Sequence, residues 1–240
     1  IEYQTLKAFA ERAKKPVICD SVPAVSDDPF AGVEMMSFGR TLRRATLALM
    51  GRLPTADEYA QVDRLGATGI EMALMNAMKE EAFLNRLMEL FNDILLTDKF
   101  LGRTNMLERL DRNRYPAYWY DDLLGMEFNG FDPEERERER LRLRYRDYSN
   151  DGVARAALEL IAFVVAEDRP FSEILTSEYT MVNAYSARSY GVGVDQGAIP
   201  DDGDYNDYDY KHYFPVQLPD VPTAGILTTS AWLNRFPTTD

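Results

Sequence analysis

The chain has one cysteine and one histidine in 240 residues. A single thiol, Cys19, cannot close an internal disulfide or build a cysteine-rich metal site. No Cys-x-x-Cys-His occurs, which excludes a c-type haem attached within this sequence. One free thiol fits the cytosol slightly better than an oxidising compartment. The lone imidazole, His212, rules out a multi-histidine metal centre, and no Gly-x-Ser-x-Gly elbow precedes it to suggest a Ser-His-Asp triad. Basic residues are short as well, 27 Lys and Arg against 40 Asp and Glu, for a formal net charge of -13. A surface of that sign repels phosphate backbones and anionic lipid, so nucleic acid and membrane surfaces are poor partners. Basic proteins and divalent cations are the complementary ones. No apolar run approaches the roughly 20 residues that span a bilayer, and Ile1-Glu2-Tyr3-Gln4 does not open a signal peptide. A glycine-rich phosphate loop is missing too, because Gly191-Val192-Gly193 lacks a third glycine and a helix start.

What is present is enough apolar material, 45% of residues, for an ordinary globular core. Residues 1–36 read as an N-terminal helix, Glu2 to Lys14, and a Pro- and Asp-rich connector from Lys15 to Phe30. From 37 to 240 the pattern is that of one mainly α, irregular helical domain with a long Asp/Tyr/Gly-rich loop near the C-terminus. Phe38, Leu42, Ala45, Leu49 and Met50 fall at helical period and Gly51 closes that helix. Thr55 and Glu58 have the spacing of a capping box, each side chain satisfying an amide at the start of the next helix. From Gly69 a helix is expected almost to Lys99, with Phe83, Leu87, Leu90, Phe91, Ile94 and Leu95 as its core stripe. Asp132-Pro133-Glu134-Glu135 starts another, whose Glu/Arg alternation to Arg146 reads as a solvated, ion-paired face or else a basic docking strip. The apolar run Val153 to Ala166 is a separate, central helix. Residues 191–222, rich in Gly, Asp, Tyr and Pro, form a long irregular excursion.

Two constellations bear on chemistry. Asp201, Asp202, Asp204, Asp207 and Asp209 place carboxylates at short intervals, the donor type that calcium requires. Their glycine comes too early for an EF-hand and no Glu stands at its twelfth position, so a solvated acidic loop is the competing reading. Trp119 and Tyr120 beside Asp121 and Asp122 have the composition of a sugar-binding platform, and equally that of a core with a polar rim. His212 is a structural or surface residue, or a ligand to a haem carried by another segment.

Three segments resemble a known family. They are Arg40-Thr41-Leu42-Arg43-Arg44-Ala45-Thr46-Leu47 with Gly51-Arg52-Leu53-Pro54-Thr55, then Arg169-Pro170-Phe171-Ser172-Glu173-Ile174-Leu175-Thr176 to Asn183, and Ala224-Gly225-Ile226-Leu227-Thr228-Thr229-Ser230. Together they resemble the domain of unknown function that precedes the haem-binding segment in planctomycete-type cytochrome c proteins. The resemblance implies a periplasmic or cell-surface protein and protein-subunit partners, a cytochrome among them. It also implies a c-type haem on a segment or partner beyond these residues, and no cofactor within them. Ile1 in place of an initiator Met and the abrupt end at Asp240 read as cuts in a longer chain. The expectation is a non-catalytic module that scaffolds a haem segment or partner subunit. The alternatives are a carboxylate-dependent hydrolase of extracellular polysaccharide and a calcium-stabilised binding or adhesion module.

Overall fold

A computed structural model of the chain describes residues 33–102, 106–124, 133–192 and 210–237. The expected N-terminal helix and connector, Cys19, and the acidic run from Asp201 to Asp209 lie outside the described residues. Helix α1 (Phe38–Met50) ends at Gly51, whose φ of +66° suits glycine, and Arg52 follows to grip Glu58 and Glu80 with its guanidinium. Helix α2 (Ala56–Leu65) opens on the expected capping box. Thr55 Oγ1 accepts the Glu58 N–H at 3.2 Å, and the Glu58 carboxylate accepts the Thr55 N–H at 2.7 Å. Gly66 turns the chain directly into α3 (Ala67–Ala77). These two helices approach so closely that a Cβ on Gly69 would lie 2.7 Å from the Gln61 carbonyl oxygen.

The single helix expected from Gly69 to Lys99 is divided. After α3 the chain tightens through 3₁₀-type bonds from the amides of Lys79 and Glu80, then enters α4 (Glu81–Leu95) and a 3₁₀ turn, Thr97–Phe100. No Gly or Pro marks the break. At the break Glu80 is extended, with φ -78° and ψ 146°, and its side chain bonds Arg52, 28 positions upstream. The expected core stripe holds only in part, because Phe83 and Leu95 are buried whereas Leu90 and Ile94 stand half exposed.

The Glu/Arg run and the apolar run also differ from expectation, for they form one helix of 34 residues, α6 (Pro133–Ala166). Between them lies Ser149-Asn150-Asp151-Gly152, a sequence that favours turns because short polar side chains bond their own backbone. Here those side chains bond elsewhere. Asn150 accepts the Met106 N–H at 3.0 Å and donates to the Phe100 carbonyl at 2.7 Å. Asp151 accepts from Gly102 N–H, and Ser149 accepts the Trp119 indole N–H. Gly152 leaves room for the next helix, since a Cβ there would meet the Asn183 side chain at 2.5 Å.

The remaining elements wrap α6. Short helix α5 (Trp119–Leu124) lies against its first half. Helix α7 (Glu173–Thr176) leads into strand β1 (Thr180–Val182), and Asn183 caps α8 (Ala184–Tyr190) with bonds to the amides of Tyr185 and Ser186. Of the excursion expected over 191–222, the described part contains a strand, β2 (Phe214–Val216), paired antiparallel to β1 with Thr180 opposite Val216. Helix α9 (Ser230–Arg235) closes the described chain. Just before it, the amides of Gly225 and Ile226 donate to the carbonyls of Ser177 and Ile174, both at 2.9 Å, so two of the resembling segments pack directly together. The fold is mainly α. Its core has an aromatic half, where Tyr120, Tyr145 and Tyr185 gather, and an aliphatic half of Leu95, Leu158, Ile161, Val164, Ile174 and Met181.

Candidate functional site

Within the apolar second half of α6, Arg155 and Glu159 are one turn apart, four residues beyond Asp151, so the three charges share one face. Across from them, α4 presents Glu81, Asn85, Met88, Glu89 and Asn92 at matching three- and four-residue steps. A trough runs between the two helices. Its wider part is a cavity of about 450 Å³ with Leu84, Met88 and Ala162 in its wall and Tyr210, Lys211 and Tyr213 along one side. It passes Asn85, Met88 and Arg155 into a second recess of about 350 Å³ bordered by Asn92, Asp98 and Leu158.

The charged groups behind this trough are largely committed to one another. Arg155 donates to Glu159 Oε1 from Nε at 3.0 Å and from Nη2 at 2.8 Å, with Nη2 also 3.8 Å from the Met88 sulfur. Burial pushes the Glu159 carboxyl above the usual range, against the pull of Arg155. Burial also works against the Arg155 charge, but the neighbouring Glu159 outweighs it and the guanidinium is more basic than usual. Asp151 is 7% exposed and accepts three bonds, from Gly102 N–H at 2.8 Å, Tyr210 O–H at 2.9 Å and Asn150 Nδ2 at 3.2 Å. Its carboxyl is raised because burial exceeds what those donors return. The Tyr213 hydroxyl is buried without a hydrogen-bond partner, and burial with the nearby Glu159 carboxylate drives its pKa well up.

Asp151 is buried and Glu159 half-buried, and they stand eight residues apart on α6.

The residues singled out in the sequence fall in different places. His212 is exposed and sits between Lys211 and Tyr213, at the margin of the trough. Asp201, Asp202, Asp204, Asp207 and Asp209 lie outside the described residues. Among the described residues no three His, Cys, Asp or Glu side chains gather as a metal site. The Trp119 indole is stacked on Tyr145 at 5.3 Å with the Arg188 guanidinium 4.8 Å over it, and Tyr120 is 1% exposed, so these rings are packed into the core. Asp121 is paired with Arg142 at 2.9 Å.

Arg155 and Glu159 were not singled out from the sequence. Their signal was there: two opposite charges at a helical i,i+4 step inside an otherwise apolar helix. Tyr210 and Tyr213 carried no comparable signal, since their role depends on what the chain folds against. The chain matches no family model, no curated protein and no solved structure.

Proposed function

We propose that the chain is a non-catalytic helical module that holds a basic, extended segment of a partner protein in the trough between α4 and α6. The observation that carries this reading is the shape and charge of that trough. From Glu81 to Asn92 it follows eleven steps of helix, about 16 Å, the length of roughly five residues of extended chain. Carboxylates of Glu81, Glu89, Asp98 and Glu159 border it; Glu159 is paired with Arg155 and Glu89 with Arg86, so the balance rests on Glu81 and Asp98 against Lys211. A cationic segment would be drawn in by the trough and by the net charge of -13 alike. The resemblance supplies the partner: the haem-bearing segment of an exported c-type cytochrome, in an electron-transfer or cell-surface assembly. His212, at the margin, is the imidazole this chain would offer to such a haem.

The test is intact mass and haem absorbance of the protein isolated from its native source at low salt. A longer chain carrying c-type haem, or a cytochrome that co-purifies and is released by 0.5 M salt, is the expected result. The double variant Glu81→Lys, Glu89→Lys should weaken that association about tenfold or more. A haem-free native protein of 27.4 kDa with no partner, or a partner indifferent to salt and to both substitutions, would sink the reading.

A further inference from the structure

A second cavity, of about 250 Å³, lies where the chain after the 3₁₀ turn Leu107–Arg109 meets β1, residues 218–223 and the start of α9. In a strongly acidic molecule its lining is cationic: Arg109 and Arg114 stand against one carboxylate, Asp111, which is engaged by the Asn113 N–H at 2.9 Å. Arg109 is exposed and makes no ion pair among the described residues. Arg114 donates one N–H to the Asp220 carbonyl oxygen, which leaves further donors on its guanidinium. Asp220 has φ +56°, in the left-handed region that Asp tolerates better than most residues. One of the cavity's own arginines is thus bonded to the loop beside it.

The hydroxyls of the lining divide into two kinds. Thr228 and Thr229 spend theirs on the carbonyls of Gly225 and Ile226, at 3.2 and 2.6 Å. The Thr223 hydroxyl is buried in the wall and has no hydrogen-bond partner. A buried hydroxyl usually has one, but this oxygen is shielded from water and does not open on the cavity. A guanidinium presents its donors in a planar fork that fits a carboxylate or phosphate group.

We propose that this cavity binds a small molecule through an oxyanion, a carboxylate or a phosphate, held by Arg109 and Arg114. The volume is below the roughly 300 Å³ at which pockets for drug-sized ligands begin, so the occupant is small. Leu110 and Val221 supply apolar wall, and the Tyr115 and Tyr190 rings meet edge-on at 5.5 Å behind it. The site is separate from the trough and independent of the partner proposed there.

The experiment is thermal unfolding and titration calorimetry of the whole chain with inorganic phosphate and, in parallel, with acetate, each against chloride at equal ionic strength. Saturable binding of at least one oxyanion with a matching rise in Tm, and none with chloride, is expected; the stronger of the two arms identifies the group. Arg109→Gln, at an exposed position, should leave the ligand-free Tm unchanged and weaken binding about tenfold. A rise in Tm that never saturates or that chloride reproduces is only screening of the net negative charge and overturns the proposal. Affinity unchanged in Arg109→Gln overturns it as well.

Discussion

At Gly225 φ is +52°, and a side-chain carbon there would lie 2.0 Å from the carbonyl oxygen of Ile174. At Leu96 φ is +54° in a residue that does carry a side chain, at the C-terminal cap of α4. The same backbone region therefore predicts opposite outcomes. Gly225→Ala should cost more than about 3 kcal/mol, since backbone must move. Leu96→Gly should stabilise by about 1 kcal/mol, because glycine relieves the left-handed penalty and Leu96 is 39% exposed. Urea unfolding of both variants checks the pair, and a destabilised Leu96→Gly would show that its side chain contributes more than its conformation costs. Glu58 gives a pH-dependent case. Its bonds to Arg52 hold its carboxyl below the usual range, so its contribution is present above the unfolded value of about 4.3 and is lost as pH falls through the folded one. Glu58→Gln should cost about 1 kcal/mol at pH 7, and the cost should shrink as pH falls through the depressed folded value. The capping box was legible because it depends on residues three apart. Gly225 was not, because its constraint comes from a carbonyl some fifty positions away.

Among the elements, α6 shows most clearly how tertiary bonds override local preference. Helix start, charged half and apolar half could each be read from the sequence, but Ser149-Asn150-Asp151-Gly152 pointed to a break. The break does not occur because Asn150 satisfies the Met106 N–H and the Phe100 carbonyl instead of its own backbone. Asn150→Ala should cost about 2 to 4 kcal/mol, both partners being left buried and unbonded. An isolated peptide spanning 133–166 should lose helical chemical shifts near 149–152, where the intact protein keeps them. A peptide helical throughout would show that the run needs no outside help. The division between α3 and α4 is the mirror case, a break where local sequence favoured continuity. The β1–β2 pairing escaped the sequence for a related reason: three-residue strands carry almost no periodicity, and what defines them is the partner 34 positions away.

Across the whole molecule, helical periodicity set the fold class correctly, and the trough was only half legible, its charges visible in the sequence but not what faces them. One feature of the architecture bears on how the molecule comes apart. Helix α6 touches α4, α5, α7, α8, α9 and β1, whereas α1, α2 and α3 make their main contacts with one another and with α4. Native-state hydrogen exchange should therefore sort the amides into two classes. Those in the centre of α6, around Val153 to Val164, should exchange only with global unfolding, since every neighbour must leave first. Those of α1 to α3 should exchange through a smaller opening, detectable as a lower denaturant dependence. Uniform exchange energies along the chain would contradict this. A molecule built in that way can loosen its leading helices while the helix that carries Arg155 and Glu159 stays intact. Wear, proteolytic nicking and thermal damage would then register first at one end, long before the trough loses its shape.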